Sequence, residues 1–425
     1  GKSRLVREFR EATARSAVSF FQGVCQNLTR IKPMGLATSL LRDIVQLTDR
    51  ERLEIQNEIL AGYLDHVGLA ETDAIPYLIH LLGLEQLNPV QEQRLRQLDN
   101  IALSQLTFAT LRSILVAEAR VAPVVLVLED LHWVDPASQD FIEYLIRSVE
   151  DEPLLLVLIS RDTEDRSAIQ ALSSTARQFV ENPMEIRLRP LSSQKTELLV
   201  DHLLQAPQAE ALKHLIVQRA EGIPFFAEEI VRMLVEGDGL VPSNGTWQST
   251  SRASELMRQV PGTLNGLILA RFDRLPPQMR RTLQKASVLG PSFSYSMLQG
   301  ISDVDPDELN KQLRLLETRQ FLVPAQFSTE QGYAFRHALM QDAVYSTLLK
   351  RDRKRIHDEA AQLIEQSVDW IAGERTQALA YHYFQGSDPS KALPFLIATG
   401  RKALRSCAYE TAIQRLGQAS ALLQK

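Results

Sequence analysis

The sequence predicts an α/β domain with a parallel sheet, followed by domains that are almost entirely helical. Two apolar runs, Val124–Leu128 and Pro153–Ser160, are rich in valine, leucine and isoleucine, and charged residues follow each of them. Such runs are typical of strands that are buried on both faces of a parallel sheet. From residue 191 onward, apolar residues recur mainly at helical spacing.

The amino end carries part of a phosphate-binding motif. Gly1-Lys2-Ser3 and the helical stretch that follows match the closing half of G-x-x-x-x-G-K-[ST]. In that motif the lysine meets the β- and γ-phosphates, the serine hydroxyl meets magnesium, and the helix N-terminus supplies amide groups. Taken alone, these three residues are weak evidence, and the N-terminus of a surface helix is the alternative.

A second strand and a long helical insert come next. Residues 17–25 predict the strand, and residues 34–120 show the 3.6-residue period of helices, with a short helix or turn at 75–82. The residue types of the insert do not indicate a function.

The first apolar run stops at two acids, Glu129 and Asp130. It should form a central strand, and open α/β sheets bind ligands at the carboxyl ends of such strands. Two adjacent carboxylates there suit a metal ion and a polarised water. Asp135-Pro136 then predicts the N-cap and first residue of a helix. Combined with the amino-terminal motif, the acids predict a P-loop NTPase domain that spans residues 1–190.

Two further strands complete the predicted sheet. The second apolar run is followed by Arg161, whose planar guanidinium would match phosphate oxygens. A surface arginine paired with Asp162 or Glu164 is the alternative. Met184–Pro190 predicts the last strand of the sheet.

Residues 191–260 predict a small helical domain, here called the lid. Ser192 or Ser193 caps its first helix, and Gly222 ends one helix before Pro224 begins the next. From the residues alone, a simple junction between two helices is the preferred interpretation of this turn.

Residues 261–345 predict a winged-helix domain, because helical patterns at 264–275, 279–289 and 306–319 precede an alternating hairpin. The third helix mixes acidic and basic residues, whereas a helix that reads DNA needs a basic surface. We therefore expect a winged helix that contacts other domains rather than DNA.

Residues 346–425 predict a helical linker and the start of tetratricopeptide-like (TPR-like) repeats. Small and aromatic residues recur there at spacings that let antiparallel helices pack closely. Fewer than three units are visible, so the array looks clipped. The basic run 350–355 is interpreted as a solvated helix end.

The composition indicates an ordinary soluble globular protein of about three domains, with 425 residues, 44% hydrophobic and 23% charged. The net charge of −5 argues against a nucleic-acid surface over the whole protein. Cys25 and Cys407 form neither a metal motif nor a disulfide framework. No apolar run approaches the length of a membrane span, and the amino end is charged. We therefore expect a cytoplasmic protein.

Four segments together resemble a known family: Gly1–Val6, Val127–Asp135, Gly222–Ile230 and Phe335–Met340. They are similar to the STAND group of AAA-related regulatory ATPases. More narrowly, they resemble the modules attached to bacterial class III adenylate cyclases, serine/threonine kinases and MalT-like transcription regulators. The resemblance implies a strand and five loop residues before Gly1, so the chain looks like a fragment that begins inside its Walker A motif.

The resemblance implies ATP and Mg²⁺ as cofactors. Gly1, Lys2 and Ser3 would bind the phosphates, and Ser3 and Glu129 would hold magnesium directly or through water. Asp130 would orient the attacking water as the second catalytic acid beside Glu129. These acids stand in the order Glu-Asp, whereas Asp-Glu is commoner in such ATPases, and the shorter aspartate reaches less far.

Three more residues take roles from the resemblance. Arg161 would act as a sensor-1-type arginine that reports the γ-phosphate. Pro224 would pack against the adenine, and His337 would contact a nucleotide phosphate. A hydrogen-bonded interior histidine is the alternative for His337.

The sequence therefore predicts an ATP-binding, slowly hydrolysing signal-transduction switch that regulates an attached cyclase, kinase or transcription regulator. Its expected partners are ATP or ADP, proteins bound by the helical repeats, and other copies of itself in a nucleotide-dependent manner. We expect neither DNA nor membrane contacts through this chain. A nucleotide-independent scaffold that binds protein or DNA through the winged helix and repeats is the alternative.

Overall fold

The computed structural model describes residues 1–25, 34–47, 53–69, 74–83, 89–161, 167–204, 210–243, 246–326, 331–367, 372–405 and 409–424. The chain divides into two compact units. The parallel-sheet unit consists mainly of Arg7–Met184 and Arg351–Lys425, and the antiparallel-sheet unit consists of Gly1–Val6, Glu185–Ala325 and Gln331–Lys350.

The amino-terminal part of the chain contains the parallel sheet and the helical insert that the sequence predicts. Its elements are α1 (Lys2–Thr13), β1 (Ser19–Val24), α2 (Gly35–Val45), α3 (Leu53–His66), α4 (Ile75–Leu82), α5 (Pro89–Gln97), α6 (Asn100–Val121), β2 (Val124–Glu129), α7 (Pro136–Ser148), β3 (Leu154–Leu158) and α8 (Ser167–Phe179).

Strand β2 is the central strand of the parallel sheet, which has the order β1-β2-β3 in the part of the chain that the structure describes. Leu126 lies opposite Phe21 on one side and Leu156 on the other. The five apolar residues of β2 are buried, as expected for β-branched and leucine side chains between neighbouring strands. The predicted central strand is confirmed.

Two elements next to the sheet hold its edge and its loop. On the outer edge of β1, the backbone N–H of Gln22 donates to Asp43 of α2 at 2.8 Å. Helix α7 begins as predicted, with Asp135 as N-cap and Pro136 at its first position. Phe141 of α7 is fully buried in the core that it shares with β2.

The prediction of the last strand is wrong. Met184–Pro190 forms no strand within the described residues, and Met184 and Ile186 are 85% and 70% exposed. An apolar alternation is not sufficient, because a strand also needs a neighbour for its backbone hydrogen bonds. Strand β3 is also less buried than predicted, since it is an edge strand of the described sheet and Leu155 is 50% exposed.

Helix α6 corrects the expectation that no apolar run is long enough to span a membrane. By length and composition alone, Ile101–Val121 could do so, with a mean hydropathy of 1.2, and it is the one such helix among the residues with described structure. Leu111, Ile114 and Leu115 of this helix are fully buried in the same core as the parallel sheet.

The antiparallel-sheet unit contains two small sheets among short helices. Its elements are α9 (Ser193–Leu204), α10 (Glu210–Ala220), α11 (Pro224–Glu236), β4 (Leu240–Ser243), β5 (Thr246–Ser249), α12 (Arg252–Gln259), α13 (Leu264–Asp273), α14 (Pro277–Leu289), β6 (Ser292–Ser294), α15 (Tyr295–Ile301), α16 (Pro306–Thr318), β7 (Leu322–Gln326), β8 (Gln331–Phe335) and α17 (Ala338–Ser346).

This unit contains the predicted hairpin and a further pair of strands. β4 and β5 pair in antiparallel orientation, and a second sheet has the order β6-β8-β7. Phe293 of β6 lies opposite Tyr333 of β8. The sequence predicts the β7–β8 hairpin but not β6 or α15, because a strand of three residues is too short to show an alternation.

The carboxyl-terminal helices pack closely through small residues, as the sequence predicts. They are α18 (Lys350–Gln366), α19 (Ala372–Gln385), α20 (Leu393–Arg405) and α21 (Tyr409–Leu423). Ala380, Ala403 and Ala412 are fully buried. Gly400 of α20 approaches Leu416 of α21 so closely that an added Cβ would lie 2.8 Å from that side chain.

Candidate functional site

The two predicted acids lie at the carboxyl end of the central strand. Glu129 is half-buried, and its Oε1 accepts a hydrogen bond from Gln22 Nε2 at 3.3 Å. Asp130 follows in the left-handed backbone region, with φ 57° and ψ 38°. A non-glycine residue in this region is uncommon and often marks a functional position. Both acids therefore occupy the edge of the sheet where ligands of α/β proteins bind.

The loop after these acids forms a short 3₁₀ turn, Leu131–Trp133. The backbone N–H of Trp133 donates to the carbonyl of Asp130 at 2.9 Å. The N–H of Leu131 donates to the carbonyl of Ile159 at 3.0 Å. Because Ile159 directly follows β3, this bond joins the loops at the ends of neighbouring strands.

Arg161 lies beside Asp130, because the strands that precede these two residues are neighbours in the parallel sheet. Its Nε is 4.0 Å from Asp130 Oδ1, and its guanidinium carbon is 5.8 Å from the centroid of the Trp133 ring. His132 Nδ1 is 3.8 Å from the same carboxylate oxygen. The alternative partners of Arg161, Asp162 and Glu164, lie outside the described residues.

A buried carboxylate supports this loop from below. Asp135 accepts hydrogen bonds from the backbone N–H groups of Met34 and Ser138, both at 3.0 Å, so it caps both α2 and α7. Burial raises the pKa of Asp135, although these hydrogen bonds oppose the shift. Burial, together with the charges of Asp135 and Asp130, also raises the pKa of the Cys25 thiol.

The arrangement at Glu129 suits a magnesium ion that arrives with a nucleotide. Magnesium prefers oxygen ligands and usually combines one or two carboxylates with substrate phosphates and water. No cluster of three or more His, Cys, Asp or Glu side chains able to hold a metal occurs in the described ranges. The carboxylate of Glu129 fits a magnesium site that is shared with nucleotide phosphates.

The second group of predicted residues lies in the antiparallel-sheet unit. Gly222 adopts φ 74°, and an added Cβ would lie 2.2 Å from the carbonyl oxygen of Leu191. Pro224 is the first residue of α11. The next residue, Phe225, packs against His337 with 3.9 Å between ring centroids. The structure thus places His337 against the residue that follows Pro224.

His337 is the N-cap residue of α17 and is exposed. The alternative prediction of an interior histidine is therefore wrong. Arg336, next to it, contacts Glu228 of α11 at 3.8 Å. Burial, followed by the charge of Arg232, lowers the pKa of Arg336.

The amino-terminal motif lies at the start of α1. Gly1 and Lys2 are exposed, and the carbonyl of Gly1 accepts the first helical hydrogen bond, from Leu5 at 3.1 Å. The Ser3 side chain, predicted to meet magnesium, lies outside what the structure describes. The predicted convergence of Lys2 with the two acids stays a prediction.

Several contact residues were not predicted from the sequence. Gln22, His132 and Trp133 touch the acids or Arg161, and Phe225 packs on His337. The signal that could have found three of them is their position, since His132, Trp133 and Phe225 all lie inside the segments that carry the family resemblance. Gln22 had no such signal, because its contact depends on strand pairing.

A parallel sheet with two acids ending its central strand and an arginine beside them is the arrangement expected of a P-loop domain. The AAA ATPase domain family matches residues 1–158. This match confirms the AAA-related module that the sequence predicts.

Two similar proteins are both longer than this chain. The chain is 26% identical to an uncharacterized protein of Rhizobium meliloti over 416 residues, which cover 95% of this chain and 37% of that protein. The crystal structure of a signal transduction ATPase with numerous domains (STAND) protein with a tetratricopeptide repeat sensor, from Pyrococcus horikoshii, matches with a TM-score of 0.41 and 11% identity. That match covers 98% of this chain and 64% of the other. The chain thus spans less than two thirds of either protein.

Proposed function

We propose that this chain is the ATP-binding switch of a signal-transduction protein and that it regulates an attached effector domain. The observation that carries the proposal is the grouping of Glu129, Asp130 and Arg161 at the carboxyl ends of neighbouring parallel strands. A carboxylate that can orient water beside a guanidinium that can bind a terminal phosphate is the equipment of a nucleotide hydrolase.

Each predicted residue has a role in this proposal. Gly1 and Lys2 bind the β- and γ-phosphates, and Ser3 and Glu129 hold magnesium, which neutralises phosphate charge when bound. Asp130 orients the attacking water. Hydrolysis is slow because the aspartate side chain reaches less far than the glutamate found at this position in commoner arrangements.

The antiparallel-sheet unit supplies the second set of nucleotide contacts in the proposal. Pro224 contacts the adenine, and His337 contacts a phosphate. The packing of Phe225 on His337 supports this pairing, because it holds His337 against the residue that follows Pro224. The order of α14, β6, α15, α16, β7 and β8 supports a winged helix that contacts other domains.

The remaining parts of the proposal concern partners and location. The closely packed helices α19, α20 and α21 support protein binding by TPR-like repeats. Nucleotide-dependent self-association transmits the state of the switch to a cyclase, kinase or transcription regulator in the same polypeptide. The protein acts in the cytoplasm.

The test is a Lys2→Ala variant of the full-length protein. A fluorescent ATP analogue should bind the unchanged protein, and binding should fall at least tenfold in the variant, because the lysine ammonium is the main phosphate contact of the motif. Lys311→Ala, which removes an exposed lysine of α16, is the control and should bind normally. Absence of nucleotide binding in the unchanged protein, with partner binding intact in Lys2→Ala, would establish the scaffold alternative instead.

A further inference from the structure

Arg161 and Trp133 come together because a backbone hydrogen bond joins the two segments that carry them. The Leu131–Ile159 hydrogen bond joins the loop after β2 to the segment after β3. The 3₁₀ turn then folds Trp133 back toward Asp130. The guanidinium of Arg161 consequently meets both an aromatic ring and a carboxylate.

Both contacts of Arg161 are of the kind that a stronger ligand displaces. The Arg161 Nε to Asp130 Oδ1 distance of 4.0 Å is an ion-pair contact rather than a hydrogen bond. The two side chains are 34% and 31% exposed, so water and salt weaken their attraction. The ring contact at 5.8 Å is near the limit for a cation–π interaction. A phosphate accepts short, charge-assisted hydrogen bonds from a guanidinium and is the stronger partner.

We propose that Trp133 is a positioning residue that holds the Arg161 guanidinium beside Asp130 whenever the site lacks a terminal phosphate. A γ-phosphate draws the guanidinium away from the ring and from the carboxylate. Asp130 then becomes free to orient water only in the triphosphate state. This inference rests on the proposed function and adds to it a way in which the site distinguishes ATP from ADP.

This role of Trp133 predicts the direction in which loss of its ring changes the relative affinities for ATP and ADP. Loss of the ring contact removes an interaction that ATP must break and ADP leaves intact. Trp133→Leu should therefore raise the ratio of the ADP Kd to the ATP Kd roughly two- to fivefold, the range that one exposed cation–π contact supplies. Trp133→Phe, which keeps an aromatic face, should restore most of the original ratio. Arg161→Ala should change the ratio in the opposite direction.

Fluorescence of Trp133 gives a readout that a purely structural role would not move. This chain has two other tryptophans, Trp247 and Trp370; full-length protein in which these and any tryptophans outside this chain are changed to phenylalanine emits from Trp133 alone. The magnesium complex of β,γ-imido ATP should change this emission, and that of ADP should not. Arg161→Ala in the same background should abolish the difference while both nucleotides still bind by calorimetry.

The outcomes separate the two claims. If calorimetry shows binding but both nucleotides give the same Trp133 emission, Trp133 does not hold Arg161 in the proposed way. The ATP-binding function would still stand. If Trp133→Leu lowers the preference for ATP, the ring presents Arg161 to the phosphate instead, and the inference is likewise overturned. If neither nucleotide binds the full-length protein, the proposed function fails together with the inference.

Discussion

Asp130 shows how one residue combines backbone strain with proposed chemistry. Its left-handed conformation, with φ 57°, is unfavourable for most residues by about 1–2 kcal/mol, although aspartate and asparagine tolerate it better than others. The conformation turns the chain at the end of β2, so that the carboxylate lies beside Arg161 and His132. The same backbone geometry thus positions the group that we assign to the attacking water.

Two substitutions at Asp130 should separate strain from chemistry. Asp130→Asn should keep the free energy of unfolding within about 0.5 kcal/mol, and Asp130→Val should lower it by roughly 1–2 kcal/mol, because β-branched residues fit the left-handed region poorly. Both should abolish phosphate release from ATP. Urea unfolding and a phosphate-release assay check these expectations.

Gln46 offers a matched control for this pair. It also adopts a left-handed conformation, with φ 56°, at the C-cap of α2, and it is exposed and has no proposed role in the chemistry. Gln46→Val should reproduce the stability loss and leave hydrolysis unchanged. Retention of hydrolysis in Asp130→Asn would show that the carboxylate does not orient the water.

Gly222 is the second position where a single residue decides local geometry. The backbone at Leu191 lies so close to this glycine that the N–H of Leu191 donates to the carbonyl of Gly222 at 2.7 Å. Only glycine combines φ 74° with this close backbone approach. The turn that it forms places Pro224 at the start of α11.

Gly222→Ala should lower the free energy of unfolding by at least about 1–2 kcal/mol, because the new Cβ would meet the Leu191 carbonyl in a backbone conformation that alanine avoids. Thermal unfolding measures the loss. Gly262→Ala is the control, since nothing lies within 4 Å of a Cβ added there. Equal stability of the two variants would contradict the crowding at Gly222.

At the scale of elements, one buried arginine connects three helices of the antiparallel-sheet unit. Arg271 of α13 pairs with Glu229 and Glu236 of α11 and donates to the carbonyl of Arg319, after α16, at 2.7 Å. Its guanidinium also lies 4.7 Å from the centroid of Phe321. Arg271 and Glu229 are almost completely buried, so each neutralises the other where water cannot.

Removing Arg271 should therefore be costly. Arg271→Met should lower the free energy of unfolding by up to about 3–5 kcal/mol, because the buried Glu229 would lose one of its arginine partners and would depend on Arg232 for charge compensation. Adding Glu229→Gln should recover part of the loss. Urea unfolding tests both variants, and Arg280→Met, which removes a half-exposed arginine paired with Asp273 at 3.8 Å, should cost less than about 1 kcal/mol.

Helices α18 and α19 are joined by a buried pair of histidine rings. His357 Nδ1 and His382 Nδ1 are 2.9 Å apart, so one ring donates a hydrogen bond to the other. Burial lowers the pKa of His357 to about 4, with a smaller contribution from the charge of Arg353. Burial also lowers the pKa of His382 to about 3, with a contribution from His357. The pair is neutral in the folded protein near pH 7.

This pair predicts an acid-sensitive helix contact. Between the ordinary histidine pKa of 6.5 and the lowered values, the unfolded chain binds more protons than the folded protein. The stability from the neutral pair is complete above about pH 6.5 and is lost as the pH falls toward 4 and 3.

Urea unfolding measured across this pH range should show that loss. A variant with His357→Gln and His382→Gln should lose less stability on acidification, whereas His202→Gln, at an exposed histidine, should behave like the unchanged protein. An identical pH dependence in the double variant would contradict the buried neutral pair.

At the scale of the whole molecule, the proposed site residues are distributed over both compact units. Glu129, Asp130 and Arg161 belong to the parallel-sheet unit, whereas Lys2, Pro224 and His337 belong to the antiparallel-sheet unit. The Lys2→Ala variant therefore tests the proposed residues of the antiparallel-sheet unit, and the Asp130 variants test those of the parallel-sheet unit.

The amount that could be predicted differs between elements for physical reasons. The apolar run of β2, the capping pair Asp135-Pro136 and the helical period of the insert are local patterns, and the structure confirms them. Met184–Pro190 shows an equally clear alternation but no pairing in the described chain. Strand formation depends on a neighbour, which a local pattern does not contain.

By itself, the sequence determined the α/β character of the first domain, the central acidic strand, the helical domains and the turn at Gly222, because residue type and spacing within a few turns suffice for each. Only the tertiary structure decided that Arg161 meets Asp130 and Trp133, that His337 is exposed against Phe225, and that Arg271 is buried between two glutamates. These contacts join residues far apart in the chain, and their geometry depends on how strands pair and helices pack.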